Sequence, residues 1–296
     1  MEANGERLYL TYQPPYCFDE ILRFLAHRVI PGVEHVNDNE YLRTVRFQNS
    51  DGEDLRGWIG VSNLPQENTL VVTLSNSLSE ATSQVLARVS HLFDLECDPL
   101  AVYAVLDSMN SIRPDLFTMG TRLPCSFNPF EMVVRAILGQ QITVKAARTL
   151  AGRFVKTFGK PLESGISSLT YTFPLPEEIV ALEGPIENHL GPLGIMARRA
   201  KAIGQLAKVF VQGEIDFYHC EESQDAIIKL LTIPGIGHWT ANYIAMRTMG
   251  CKDIFLETDV GIRKALAPYQ SKELLQVAEQ WRPWRSYATV ALWNSL

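Results

Sequence analysis

The stretch LTIPGIGHWTANY, residues 231–243, predicts the end of one helix, a tight hairpin turn and the start of a second helix. Gly235 and Gly237 flank Ile236 at the turn, where glycine can adopt a left-handed backbone and lets another chain approach without a β-carbon in the way. The helix that starts near His238 directs unpaired N–H groups and the positive end of its dipole out of the turn. The turn is therefore a candidate site for one phosphate group.

An isolated Pro-Gly-x-Gly sequence usually forms an ordinary loop. The residues around this turn distinguish it from such a loop. Asp259 follows twenty positions after Trp239; without further context, it is best interpreted as a helix N-cap. Apolar residues at helical spacing lie on both sides of the turn: Ala226, Ile227, Leu230 and Leu231 before it, and Ala241, Ile244 and Ala245 after it. Two apolar helices, a glycine turn and an acid at a fixed distance are together more specific than any one of them.

The length and composition allow a large hydrophobic core. A chain of 296 residues with 46% hydrophobic residues is long enough for two or three domains. No run of about eighteen apolar residues is present, which argues against a membrane-spanning helix. Met1–Arg7 lacks the apolar run of a signal peptide. The sequence therefore predicts a cytoplasmic protein that does not interact with a membrane.

The five cysteines indicate reduced thiols rather than a disulfide framework or a metal site. They lie far apart, are odd in number and lack the C-x-x-C spacing of a zinc site or an iron–sulfur cluster. We therefore expect no iron–sulfur cluster, and reduced, mostly buried side chains at Cys17, Cys97, Cys125, Cys220 and Cys251.

Charge is distributed unevenly along the chain, whose formal net charge is −6. Residues 1–120 carry 17 acidic and 8 basic residues, a balance of −9, and residues 121–296 carry 16 and 19, a balance of +3. Local fields at a binding face matter more than the sum. Two stretches therefore permit contact with nucleic acid, although each basic residue by itself also fits a solvated helix surface. These residues are Arg135, Lys145, Arg148, Arg153, Lys156 and Lys160, and then Arg198, Arg199, Lys201 and Lys208.

Residues 1–95 have the pattern of a mixed α/β domain. Apolar residues at helical spacing predict a helix over 18–28, and alternating or continuous apolar residues predict strands over 41–47, 55–61 and 70–74. Polar or proline-containing segments at 49–52 and 63–65 predict turns between the strands, which favours an antiparallel sheet. A helix over 79–93, with Ser79 as its N-cap, completes the domain.

Helical patterns dominate after Pro99, separated by short loops rich in glycine and proline. The predicted helices cover 130–138, 142–158, 177–182, 197–212, 223–231, 240–249, 260–267, 272–281 and 284–294. The predicted fold class is therefore α+β, with an N-terminal mixed α/β domain that contains an antiparallel sheet and an all-helical body.

The hairpin and Asp259 together resemble the helix-hairpin-helix DNA glycosylases, in which the hairpin grips the DNA backbone and the downstream aspartate performs the chemistry. Further segments resemble the bacterial 3-methyladenine DNA glycosylase II family: 12–16 (YQPPY), 92–95 (LFDL), 135–140 (RAILGQ) and 281–288 (WRPWRSYA). This resemblance implies an N-terminal domain, 1–95, and two helical subdomains, 96–128 with 250–296, and 129–249. Duplex DNA would lie in a cleft between the subdomains.

The resemblance also implies roles for individual residues. Asp259 would be the catalytic carboxylate, which stabilises positive charge on the sugar as the base leaves. The flipped base would enter an aromatic pocket, where alkylated purines bind by stacking and cation–π attraction. The implied pocket residues are Trp239, Tyr243, Trp293, Phe24 and Arg28, and the implied DNA contacts are Gly235, Ile236, Gly237, His238, Thr240, Gln140 and Gln141.

Position 239 distinguishes two kinds of chemistry. Family members that also cut the DNA backbone carry a lysine there, which forms a Schiff base with the sugar, whereas this chain has Trp239. The resemblance thus implies a monofunctional enzyme that releases 3-methyladenine and related methylated purines by hydrolysis, without AP-lyase activity. Gln141, Thr258 and Val260 depart from the family residues at these positions, so the range of lesions stays open.

Two other functions also stay open: a non-catalytic helix-hairpin-helix DNA-binding protein, and a glycosylase for oxidised purines with lyase activity. The resemblance implies no required cofactor, but family hairpins often hold a monovalent cation, here through the backbone carbonyls of Leu231, Ile233 and Ile236. One DNA-gripping hairpin per chain suits a monomer associated with the nucleoid.

Overall fold

The computed structural model describes residues 5–48 and 52–296, which form an antiparallel sheet domain followed by a body of helices. The sheet comprises β1 (Gly5–Thr11), β2 (Glu34–Val36), β3 (Glu40–Gln48), β4 (Asp54–Leu64) and β5 (Thr69–Ser75). Its strand order is β1-β5-β4-β3-β2, and all neighbouring strands are antiparallel. Helices α1 (Phe18–Ala26) and α2 (Thr82–Leu92) share its apolar core. The predicted fold class is confirmed.

Cross-strand side chains explain why the three central strands form. Tyr41, Val61 and Val72 are paired across β3, β4 and β5, and all three are fully buried. Each covers apolar surface of its neighbour, which is the main source of stability in a sheet. The strands predicted over 41–47, 55–61 and 70–74 are therefore confirmed, each extended at both ends.

Two strands and one helix start differ from the sequence prediction. β1 lies at the sheet edge, where Leu8 and Leu10 alternate with exposed residues but are themselves only partly buried, and β2 is only three residues long. A 3-10 helix, Asn76–Ala81, precedes α2, so Ser79 is not the N-cap; its carbonyl accepts the Thr82 hydroxyl at 2.7 Å. Of the predicted turn 49–52, residues 49–51 lie outside the described part of the chain.

The helical body confirms the helices predicted from the sequence, with shifts of one or two residues at their ends. Two helices were not predicted, α3 (Pro99–Leu106) and the short α7 (Ile186–Leu190), nor was a small hairpin of β6 (Lys160–Pro161) and β7 (Tyr171–Thr172). The helices are α3 (Pro99–Leu106), α4 (Pro129–Leu138), α5 (Val144–Phe158), α6 (Pro176–Val180), α7 (Ile186–Leu190), α8 (Ala197–Gln212), α9 (Ser223–Leu231), α10 (His238–Thr248), α11 (Val260–Ala265), α12 (Ser271–Glu279) and α13 (Arg285–Asn294).

Two apolar clusters stabilise the molecule. One lies among the sheet, α1 and α2 and includes Phe127, and the other runs through the helical body. Trp293 of α13 packs against both clusters, so the last helix joins the N-terminal domain to the body. The subdomain boundaries after residues 95, 128 and 249 stay predictions. Among the described residues, none of the helices combines the length and apolar character needed to span a membrane.

Asp94 connects the end of α2 to the helical body. Its Oδ2 accepts hydrogen bonds from the Leu123 backbone N–H at 3.0 Å and from the Tyr287 hydroxyl at 2.8 Å. Burial outweighs these bonds and raises the pKa of Asp94 from 3.8 to about 6. The folded state therefore binds a proton more readily than the unfolded state between these two values. The contribution of Asp94 to stability consequently falls as the pH rises through this window.

We expect Asp94→Asn to remove this pH dependence. Asparagine keeps an oxygen acceptor and tolerates the left-handed backbone of residue 94, whose φ is 53°, so the variant should fold. As the pH falls from about 7 to about 4, the free energy of unfolding of the wild type should gain up to about 3 kcal/mol relative to the variant. Parallel denaturation curves for the two proteins across this range would contradict the prediction.

Candidate active site

A cleft of about 1120 Å³ lies between the N-terminal domain, the α4–α5 region, the hairpin and the last helix. Its walls come from segments that are far apart in the sequence, including the end of α1, the start of α8 and the residues before α11. Nine of the residues predicted from the sequence line this cleft: Arg28, Gln140, Gln141, Gly235, Trp239, Thr240, Tyr243, Asp259 and Trp293. The fold thus brings most of the predicted site together.

The hairpin between α9 and α10 has the predicted turn. Gly235 adopts a φ of +103°, which a residue with a side chain rarely adopts, and Gly237 is the N-cap of α10. A β-carbon on Gly237 would meet nothing within 4 Å, and His238 beside it is exposed. The start of α10 is therefore open to a ligand.

Ile236 lies at the middle of the turn, and its contact with DNA stays a prediction. Its side chain is buried, because the turn directs it into the core of the helical body. Its backbone N–H donates to the Ile233 carbonyl at 3.0 Å. Neither group is available to a ligand in this conformation.

Gln140 and Thr240 fix the hairpin against the loop after α4. The Gln140 Nε2 donates to the Gly235 carbonyl at 3.0 Å and to the Thr240 Oγ1 at 3.1 Å, and Thr240 is buried. These two side chains therefore position the hairpin. Both also line the cleft, and their contact with DNA stays a prediction. Gln141 differs, because it is exposed at the cleft on a left-handed backbone with a φ of 53°.

Three donors orient the Asp259 carboxylate. The Trp293 Nε1 donates to its Oδ1 at 3.0 Å, and the Trp239 Nε1 donates to its Oδ2 at 3.1 Å. Asp259 is also the N-cap of α11, since its Oδ1 accepts from the Ile262 backbone N–H at 3.1 Å. The same carboxylate therefore caps α11 and lies at the wall of the cleft.

Gly261 is a site residue that the sequence interpretation missed. A β-carbon at this position would lie 3.0 Å from the Asp259 Oδ1 and 3.1 Å from the Trp293 Cδ1. The glycine therefore allows the indole to approach the carboxylate closely. Its position two residues after the aspartate could have indicated this role, but a glycine near an aspartate is common in sequences.

Aromatic rings form the wall next to the carboxylate. Trp239 and Tyr243 are stacked, with centroids 4.9 Å apart, and Trp293 meets Tyr243 edge-on at 6.0 Å. Phe24 is stacked behind Trp293 at 6.2 Å and is only 3% exposed. Phe24 therefore supports the wall from the core, which corrects the expectation that it lines the pocket.

Two arginines enclose Phe24 at the inner end of the cleft. The guanidinium carbons of Arg28 and Arg247 lie 3.7 Å and 4.8 Å from the Phe24 ring centroid. Arg247, which the sequence interpretation missed, donates to the Tyr243 hydroxyl at 2.8 Å and to the Pro124 carbonyl at 2.6 Å. Its spacing of four residues from Tyr243 and eight from Trp239 places all three on one helix face, which was a usable signal.

The charges in this region shift the pKa values of their neighbours. Burial, reinforced by Arg247 and Arg135, lowers the pKa of Arg28 to about 10. For Tyr243, burial acts to raise the pKa, but Arg247 and Arg28 reverse this and hold its pKa below the usual value. The inner end of the cleft thus has a positive potential.

The predicted basic stretches contribute to the cleft only in part. Arg148 and Arg198 line it, and so do Arg135 and Arg199, whose side chains hydrogen-bond to neighbouring backbone carbonyls. The lysines of these stretches lie elsewhere: Lys145, Lys156, Lys160, Lys201 and Lys208 are not among the residues that line the cleft.

Family models match both parts of the chain. The AlkA N-terminal domain matches residues 7–128, and the HhH-GPD superfamily of base excision DNA repair proteins matches residues 134–280. The chain is 35% identical to DNA-3-methyladenine glycosylase 2 of Escherichia coli, over 96% of this chain and 95% of that protein. It is 33% identical to the probable bifunctional transcriptional activator/DNA repair enzyme AlkA of Mycobacterium tuberculosis, over 99% of this chain and 58% of that protein.

A solved structure supports the fold over the same extent. The 3-methyladenine DNA-glycosylase from Archaeoglobus fulgidus superposes with a TM-score of 0.75 at 22% identity and covers 97% of each chain. The sequence identity over nearly the whole length and the matches to both family models show which family the chain belongs to. The chain belongs to the DNA-3-methyladenine glycosylase 2 family, which comprises base-excision repair DNA glycosylases of the HhH-GPD superfamily.

Proposed function

We propose that this enzyme flips an alkylated base, 3-methyladenine or a related methylated purine, out of duplex DNA and releases it by hydrolysis. One observation carries the proposal: the Asp259 carboxylate is held between two indole N–H groups, 3.0 and 3.1 Å away, at the wall of an open cleft. A base inside a duplex cannot reach such a group, so it must leave the stack. The family relationship supports this reaction class.

Asp259 would act on the charge that develops during bond cleavage. As the base leaves, positive charge builds on the deoxyribose, and a fixed carboxylate beside the sugar stabilises it without having to reorganise. Trp239 and Tyr243 offer ring faces on which an electron-poor purine can stack. The same carboxylate would orient the water that attacks the sugar carbon.

The residues around Asp259 support release of the base without cutting of the DNA backbone. A lyase needs an amine that can form a Schiff base with the sugar. Among the described residues that line the cleft, the basic side chains are arginines and none is a lysine. We therefore propose a monofunctional enzyme.

The hairpin would hold one phosphate of the DNA strand. The start of α10 offers backbone N–H groups and the positive end of the helix dipole. Gly237 and His238 lie at this start, and the space beside Gly237 is open. Arg148 and Arg198 would add a sequence-independent attraction to other phosphates.

Two glycine variants distinguish the effect of the turn on phosphate binding from its effect on stability. Gly237→Ala is expected to cost about 0.5–1 kcal/mol of stability, because alanine is a poorer N-cap than glycine, and to weaken DNA binding, because its new methyl group occupies the open space before α10. Gly235→Ala is expected to cost about 1–2 kcal/mol of stability, since φ is +103° there. Thermal unfolding and fluorescence anisotropy with duplex DNA measure both effects. Undiminished DNA affinity of Gly237→Ala would argue against the phosphate site.

One assay tests the proposed reaction against its alternatives. The protein is incubated with methylated duplex DNA, and free 3-methyladenine and strand breaks are measured before and after alkali. Released base with breaks only after alkali is the expected result. Binding without released base would indicate a non-catalytic DNA-binding protein, and alkali-independent breaks or a borohydride-trapped adduct would indicate a lyase.

We further propose a monomer that acts on DNA in the cytoplasm without a required cofactor or iron–sulfur cluster. The described residues contain no group of three or more His, Cys, Asp or Glu side chains able to hold a metal ion. A monovalent cation in the hairpin, held by the carbonyls of Leu231, Ile233 and Ile236, is chemically compatible with the turn. The Ile233 carbonyl accepts one hydrogen bond, from Ile236, and a carbonyl oxygen has a second lone pair.

A further inference from the structure

Cys220 and Cys251 form a close pair outside the cleft. Their Sγ atoms are 2.7 Å apart, although the residues are 31 positions apart in the sequence. Cys220 begins the 3-10 turn that leads into α9, and Cys251 follows the end of α10 by three residues. The pair therefore joins the two outer ends of the helix-hairpin-helix unit.

The surroundings make the two thiols chemically different. Cys220 is partly exposed, whereas Cys251 is buried. The hydrogen bond with Cys251 lowers the pKa of Cys220 to about 6, with support from Ser223 and the Lys252 backbone N–H. The same hydrogen bond, with burial, raises the pKa of Cys251. Since the thiolate is the reactive form of cysteine, Cys220 has the properties of an attacking thiol and Cys251 those of a resolving thiol.

We propose that Cys220 and Cys251 form a reversible dithiol–disulfide pair that a hydroperoxide oxidises and a small-molecule dithiol reduces. In the first step, the Cys220 thiolate attacks one oxygen of the hydroperoxide, the O–O bond breaks, and a sulfenic acid and a hydroxide or alkoxide form. In the second step, the Cys251 sulfur attacks the sulfenic sulfur, the S–O bond breaks, and water leaves with the Cys251 proton. Two thiols are oxidised, and one hydroperoxide is reduced.

The disulfide would fasten the helix-hairpin-helix unit without changing the cleft. It would close a loop that contains α9, the turn and α10, and so restrict the unfolded chain. Neither cysteine lines the cleft. The oxidised protein should therefore resist thermal unfolding better and keep its DNA contacts, and this inference does not depend on the proposed base specificity.

The test is mass spectrometry of the full-length protein after exposure to hydrogen peroxide. The protein is then denatured, remaining thiols are blocked with a maleimide, and peptides are mapped with and without dithiothreitol. We expect one dithiothreitol-sensitive link between the peptides that contain Cys220 and Cys251. Cys17 is an internal control, because it is also partly exposed but burial raises its pKa to about 11; it should be labelled by the maleimide.

Two variants complete the experiment. Cys220→Ser should abolish the link, whereas Cys17→Ser should retain it. Oxidation should raise the Tm of the wild type and of Cys17→Ser by about 5 °C and leave that of Cys220→Ser unchanged. A link between any other pair, irreversible sulfinic acid at Cys220 without a link, or equal reactivity of Cys17 and Cys220 would overturn the proposal.

Discussion

Asp259→Asn is expected to reduce the rate of base release by at least about a hundredfold. The asparagine amide is neutral and cannot stabilise positive charge on the deoxyribose. It also places an N–H₂ group where one carboxylate oxygen was. The Trp293 Nε1 and the Ile262 N–H both donate to Oδ1, so we expect the amide oxygen to take this position. The Nδ2 then faces the Trp239 Nε1, and two donors meet.

The same contacts predict that the variant folds. Asparagine is as good an N-cap as aspartate, so the start of α11 should be preserved. The lost hydrogen bond to Trp239 costs about 1 kcal/mol, which is small for a protein of this size. The defect should therefore appear in catalysis while DNA affinity and the Tm change little.

Single-turnover release of 3-methyladenine from methylated duplex DNA measures this effect. Glu257→Gln is the matched control, because Glu257 is the nearest other carboxylate in the sequence, lies partly exposed and does not line the cleft. Its rate should stay within about twofold of the wild type, since it removes a charge outside the cleft. Wild-type activity of Asp259→Asn, or equal losses in both variants, would exclude Asp259 as the catalytic carboxylate.

Local patterns were enough to predict the hairpin, the position of Asp259 as a helix cap and most helices. The glycine turn and the helix cap at Asp259 are formed by residues close together in the sequence. The local sequence is therefore enough to predict them. The burial of Ile236 and Thr240 was not predicted, because it depends on which face of the turn meets the core. Tertiary packing determines that face, and the spacing of apolar residues within one helix cannot predict it.

The layer behind the aromatic wall could not be predicted for the same reason. Phe24 and Arg247 meet across more than 200 residues of sequence, and their ring-to-guanidinium contact at 4.8 Å exists only after the N-terminal domain docks on α10. β1 was missed because the alternation in this edge strand covers only residues 8–11 and none of them is fully buried. The helices and strands within each domain could mostly be predicted, whereas the contacts between the domains could not.

A buried network of charges at this domain contact is the second place where a single change should have a large effect. Glu131 of α4 accepts from the Arg43 Nη2 at 2.7 Å and from the Arg135 Nη1 at 3.0 Å, and Arg135 also pairs with Glu34 at 2.9 Å. The side chains of Arg43 and Glu131 are both only 4% exposed. Burial opposes the charge on Glu34, but Arg135 and Arg43 overcome it and lower the pKa of that carboxyl. The network joins β2 and β3 to the helical body.

We expect Glu131→Gln to lower the free energy of unfolding by about 3–5 kcal/mol. Glutamine retains the shape of the side chain but leaves the Arg43 guanidinium buried without its closest counter-charge. Chemical denaturation monitored by circular dichroism measures the loss. Glu178→Gln is the matched control, because Glu178 pairs with Arg46 at 2.7 Å but is 26% exposed; its cost should stay below about 1 kcal/mol.

A double variant determines whether charge or packing causes the loss. If the uncompensated Arg43 charge dominates, Arg43→Met combined with Glu131→Gln should recover at least about 2 kcal/mol of the single-variant loss, because no isolated cation then remains in the interior. If both substitutions simply add, lost packing is responsible and the electrostatic explanation is wrong. Arg135 also donates to the Arg28 carbonyl and lines the cleft. A destabilised network should therefore also displace Arg28, and Glu131→Gln should weaken base release before it unfolds the protein.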